Sequence, residues 1–212
     1  MIEYKFNFDY LIDKSIILKG ICMKNIVIGV GNILFKDEGV GIFASHYLNE
    51  NYVFDGNLEI IDGGTLGFKL MTYFKEYDNV IILDTVSIQD KVGQIYKIPS
   101  KELLGLGKYR KTAHEVEIVE MLEICSVFEN HANVTIIGII PKDIIKVEIG
   151  LTIDMEKCFD EFILTTINEI KNLNIDVNKT NNVKLSSIVE NLVGSYNSSS
   201  IKTITKDLNE HI

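Results

Sequence analysis

The chain has 212 residues, 46% hydrophobic and 24% charged, with a formal net charge of −9, which suits one globular domain with a substantial core, with or without tails. The acidic balance argues against a nucleic-acid partner, because no broad basic surface can compete for phosphates. No apolar stretch reaches the roughly 20 residues a membrane span needs, so no membrane insertion is expected.

Residues 1–22 carry no clear period or cap. Met23 stands directly before the first strand, so translation is expected to start there, leaving 1–22 as an N-terminal extension. Ile26 to Val30 is an apolar strand that runs into Gly29-Val30-Gly31-Asn32. A turn with two acids, Asp37 and Glu38, follows, and Gly39-Val40-Gly41 opens a helix to Leu48 with Val40, Phe43, Ala44, Tyr47 and Leu48 at core-facing spacing. Leu58 to Ile61 is a short strand ending in Asp62-Gly63-Gly64-Thr65, a turn whose glycines permit angles other residues resist. Gly67 to Tyr77 reads as a helix. Val80 to Leu83 is a fully apolar strand that stops on Asp84. Gln89-Asp90-Lys91 looks like a hairpin turn leading to a strand over Val92 to Ile98.

Ser100 to Lys111 is a polar loop. Thr112-Ala113-His114-Glu115 has the spacing of a capping box and opens a helix with Val116, Val119, Leu122 and Cys125 on one face. Val134 to Ile140 is a further strand, ended by Pro141. Leu151 to Leu173 carries the last strong helical pattern. From Asn174 the chain is rich in Asn, Ser, Lys and Thr; residues 174–212 read as a polar, mobile tail with one short helix over Ser187 to Val193. Strands buried on both faces and alternating with helices predict an α/β fold over 23–173. It is a three-layer α/β/α sandwich around a mixed, mostly parallel sheet of about five strands.

Three candidate ligands fall after strands or at a helix start: Glu38, Asp84 and His114. In a wound sheet such positions share the carboxyl edge, where ligands usually bind. Two carboxylates and an imidazole suit a borderline divalent metal such as nickel, zinc or cadmium. Each has a plainer reading: an acid at a helix start is commonly a cap, and an acid at a strand end commonly closes a turn. His46 reads as a surface or edge residue of the first helix. Cys22, Cys125 and Cys158 are scattered, without a C-x-x-C pair, and fit reduced thiols of a cytoplasmic protein. Gly29-x-Gly31 begins like a dinucleotide fingerprint, but position 34 is Leu. A nucleotide-binding reading, with Asp62 on a ribose, is therefore the weaker alternative.

The runs G-V-G-N-I-L-F-K-D-E-G-V-G, D-G-G-T-L-G, I-I-L-D-T-V, T-A-H-E and G-I-I-P-K-D-I, in that order over Lys24 to Lys171, resemble the nickel-iron hydrogenase maturation proteases. The resemblance implies a helix-sandwiched sheet. It also implies an endopeptidase that removes the C-terminal extension of a hydrogenase large-subunit precursor after nickel insertion. The family's three metal-contacting residues map onto Glu38, Asp84 and His114, with Asp84 a candidate general base of an aspartyl-type enzyme. Nickel is expected to arrive in the precursor, and other divalent metals to be able to occupy the same ligands. Gly29, Gly31, Asn32, Asp62, Gly63, Gly64 and Thr65 form the expected substrate loops, their glycines letting a partner's segment approach the backbone. A monomer is expected. A non-catalytic chaperone that checks nickel loading is the competing reading of the same ligands.

Overall fold

The computed structural model describes residues 23–65, 67–103 and 132–195. The predicted capping box and helix that follow Thr112, with His114, lie outside the described residues, as do the extension 1–22 and residues 196–212.

Five strands form the main sheet in the order β3-β1-β4-β6-β5. They are β1 (Asn25–Val30), β3 (Leu58–Gly64), β4 (Asn79–Thr85), β5 (Ile95–Pro99) and β6 (Asn133–Ile139). The first four in that order are mutually parallel, and β5 joins antiparallel at the β6 edge. The strand side chains sort by parity onto two faces, as the pleat requires. Val27, Ile81, Leu83, Ile137 and Ile139 pack with helices α1 (Val40–Asn51) and α4 (Ile153–Asn172). Ile26, Ile28, Val80, Ile82, Val134 and Ile136 pack with Leu70 and Phe74 of α2 (Leu70–Glu76). The central strands are buried on both faces because both faces carry helices, which is the predicted three-layer mixed fold. A short helix, α3 (Ser100–Leu103), occupies the start of the expected polar loop.

At the amino ends of the three central strands, Asn25, Asn79 and Asn133 stand in register. Asn79 Nδ2 donates to Asn25 Oδ1 at 2.8 Å, and Asn25 Nδ2 donates to the Met23 and Asn57 carbonyls at 3.0 Å. This amide row satisfies polar groups at the end of the sheet away from the glycine-rich turns.

Two expectations are corrected. The strand after Gln89-Asp90-Lys91 does not form a hairpin with β4, because β6 lies between them. Both edges of β4 are taken by parallel partners, so the chain crosses the end of β6. Val86 N–H donates to the Ile139 carbonyl and Gly93 N–H to the Ile140 carbonyl on the way. Residues 174–195 are also no tail. Strand β7 (Asp176–Lys179) pairs antiparallel with β2 (Tyr52–Asp55), and residues 185–195 are helical. Ile175 and Ile188 are buried in the α1–α4 core, with Val183, Leu185, Val189 and Leu192 packed beside them. Asn51, itself buried, holds the return: its Oδ1 accepts from Val183 N–H at 2.6 Å and its Nδ2 donates to the Val183 carbonyl at 3.1 Å. Among the described residues, no helix is long and apolar enough to cross a membrane.

Candidate active site

The site is built where β1 and β4 end. Beyond Val30 the chain turns at Gly31, with φ 141°, a backbone conformation that L side chains rarely adopt. Its N–H donates to the Gly64 carbonyl at 2.9 Å, so the two glycine-rich loops are tied together. A β-carbon at Gly31 would lie 1.9 Å from the Glu38 carbonyl oxygen. One at Gly41 would lie 2.1 Å from the Leu83 carbonyl and 2.4 Å from that of Val30. The start of α1 therefore rests directly on the ends of β1 and β4. At both glycines the place a side chain would take is filled by the chain's own backbone. That packing sets the Glu38 turn against the strand end that carries Asp84.

The two neighbouring acids of the turn have different surroundings. They lie in a single turn of 3-10 helix, Lys36–Gly39, entered through Lys36 with φ 48°. Asp37 is 0% exposed. Its Oδ2 accepts from the backbone N–H of Lys142 at 3.0 Å and of Asp143 at 2.9 Å, and from Thr152 Oγ1 at 3.0 Å. Its Oδ1 accepts from Thr152 N–H at 2.7 Å. A buried carboxylate so supplied with donors is a structural anchor. Glu38, by contrast, is only partly buried.

Asp84 is the penultimate residue of β4, 2% exposed, opposite Gly138 of β6. Its Oδ1 accepts from Thr85 N–H at 2.7 Å. Glu38 and Asp84 thus belong to the same edge as expected, one on the turn and one on the strand. His114, the third predicted ligand, lies outside the described residues. Among the described residues alone, no three His, Cys, Asp or Glu side chains group closely enough to hold a metal ion.

Three features of this edge escaped the sequence reading. His46 Nε2 lies 3.0 Å from Asp62 Oδ2, so the first helix reaches the second glycine loop. Asp62 Oδ1 in turn accepts from Gly64 N–H at 2.8 Å. The segment after Pro141 folds against the Glu38 turn: Asp37 N–H donates to the Asp143 carbonyl and Lys36 N–H to the Glu148 carbonyl, both at 3.0 Å. The Glu148 carboxylate pairs with Lys146 and Lys36, which hold it down at about 2. Backbone donors from Ile145 and Lys146 hold the Asp143 carboxyl below the usual carboxylate range. Ile145 and Val147 of this segment are 83% and 74% exposed. The G-I-I-P-K-D-I run was the available signal, a polar turn just past a strand end, but its contact with Asp37 is not written in spacing.

Comparison with known proteins places this geometry in one group. The model of the hydrogenase maturation protease family matches residues 42–169, more than half of the chain and inclusive of Asp84. The hydrogenase 2 maturation protease of Escherichia coli is 31% identical over 136 residues, covering 63% of this chain and 82% of the relative. A putative hydrogenase maturation protease of Methanocaldococcus jannaschii is 31% identical over 150 residues, covering 69% and 96% respectively. The solved structure of the hydrogenase maturating endopeptidase HybD from E. coli superposes with a TM-score of 0.68 at 26% identity, covering 74% of this chain and 98% of that one. The chain belongs to the hydrogenase maturation protease family.

Proposed function

We propose that this chain is an endopeptidase that removes the C-terminal extension of a nickel-iron hydrogenase large-subunit precursor, acting once nickel has been inserted. The observation that carries the reading is the seat of α1. Gly41 packs on the Val30 and Leu83 carbonyls, which brings the partly exposed Glu38 and the strand-end Asp84 to one edge of the sheet in a member of this family.

In this reading the nickel is cargo of the substrate. Glu38, Asp84 and His114 complete its coordination when the precursor docks, and cleavage is conditional on loading because the ion supplies the differential affinity. Docking holds the scissile peptide beside the metal, which can polarise its carbonyl or a water molecule. A carboxylate of the pair, Asp84 in particular, can take the proton of the attacking water. Other divalent ions that accept two carboxylates and an imidazole would compete for the same ligands.

The test is a cell-free assay with purified chain and a C-terminally extended large subunit, nickel-loaded or metal-free. Cleavage of the loaded precursor alone is expected. Equal cleavage of the metal-free precursor would overturn the conditional role of the metal. Binding to the loaded precursor without cleavage would replace the protease by a loading-checkpoint chaperone.

A further inference from the structure

We infer that Asp37 is the positioning residue for Glu38: its buried carboxylate fixes the one-turn 3-10 helix at the height that Glu38 needs to meet the substrate. The inference rests on the proposed role of Glu38 and adds the device that holds it.

The turn cannot hold itself. It is four residues long, has no side-chain cap at its start, and is entered through Lys36 in a left-handed conformation. Such a conformation in a non-glycine residue costs free energy and persists only where the surroundings over-determine it. Glu38 N–H bonds to the Phe35 carbonyl within the turn, and the Glu38 carbonyl is pressed on the Gly31 α-carbon from one side. The opposing restraint is Asp37. Its four accepted hydrogen bonds come from two places in the chain, Lys142 with Asp143 and Thr152. These donors are more than 100 residues away in sequence, and one carboxylate gathers them at a point. Glu38 is thus gripped between the β1 turn and the start of α4. A ligand held only by its own short turn would lose geometry to thermal motion; one anchored through an adjacent buried carboxylate keeps it.

The experiment compares the parent chain with Thr152→Val, Thr152→Ser, Asp37→Asn and Glu38→Gln in the precursor-processing assay. Amide hydrogen exchange over residues 36–39 is followed alongside. Thr152→Val removes only the hydroxyl, which donates to Asp37 and accepts from Met155 N–H at the α4 start, and Thr152→Ser restores it. The expected result for Thr152→Val is faster exchange at 36–39 and a kcat lowered roughly 10-fold at unchanged KM, the lower end of what losing a ligand's orienting partner costs. Thr152→Ser should match the parent in both. Asp37→Asn, if folded, should lose more, because its amide turns donors toward donors; if it does not fold, Thr152→Val decides. Parent-like kcat in Thr152→Val, with exchange raised or melting lowered, would make Asp37 an anchor of the fold only. So would a raised KM at parent kcat. Full turnover by Glu38→Gln would instead remove the site reading beneath the inference, and is distinguishable because it does not involve Thr152.

Discussion

The Glu38 carbonyl lies on the α-carbon of Gly31, with no room for a methyl group: a β-carbon there would stand 1.9 Å from the oxygen. Gly31→Ala must therefore either push the acid turn outward or open the turn after β1, and it must also hold alanine at φ 141°. Overpacking together with the disfavoured backbone should cost about 2–4 kcal/mol. Thermal melting should fall accordingly, and processing of the precursor should fall further than stability explains, since Glu38 moves with the turn. Parent-like melting and turnover in Gly31→Ala would refute the close approach.

The ligand assignment makes a separable prediction. Glu38→Gln, Asp84→Asn and His114→Ala should each lower processing about 100-fold or more, the scale of losing a group that acts on the reacting atoms. Melting should stay close to the parent's for Asp84→Asn, because the amide oxygen can still accept from Thr85 N–H. Asp37→Asn should differ by losing stability together with turnover, because its amide would face the donors that Asp37 accepts from. The pair of adjacent acids thus offers an internal control, measured by circular dichroism and by the cleavage assay on the same preparations. Full processing by all three ligand variants would sink the assignment.

The contrast between those two acids also marks what the sequence could and could not tell. Strands β1, β4 and β6 were legible because both faces are covered and their apolar runs are continuous. The carboxyl edge followed from where those runs stop. Which of Asp37 and Glu38 is buried was not legible, because the donors that satisfy Asp37 come from residues 142, 143 and 152. The pairing of β2 with β7 was hidden for a related reason. Asp-Val-Asn-Lys has little strand propensity of its own and forms a strand only against Tyr52–Asp55, over a separation in sequence that local pattern does not span. The order of β4, β6 and β5 likewise depends on which edges are already occupied.

That second, distant pairing depends on Asn51. Asn51→Ala would leave the Val183 N–H without its side-chain acceptor and the Tyr47 carbonyl without its side-chain donor. An unmade buried bond costs roughly 1–3 kcal/mol. Hydrogen exchange should quicken across β7 and residues 185–195, while β1 and β4 keep their protection. Precursor processing should be retained, since the Glu38 turn is anchored elsewhere. Uniform exchange across the whole chain would show instead that the C-terminal segment and the sheet open together.

Acid should loosen the segment beside the site before the core. Glu148 is held down at about 2, first by the Lys146 side chain and then by Lys36. A carboxyl whose folded value lies below its ordinary 4.5 contributes stability that is fully present above 4.5 and is lost as pH falls toward 2. Glu148 and Lys146 are solvent-exposed, so the contribution is small and salt-screened. Glu148→Gln should therefore melt slightly below the parent at neutral pH and low salt. The gap should close as pH drops from 4.5 to 2, and it should also shrink at high salt. Lys36 precedes Asp37 and Glu38, so in low salt at neutral pH the same variant should quicken amide exchange at residues 36–39. A melting gap that stays constant from pH 7 to pH 2 would show that Glu148 acts through packing rather than through its charge.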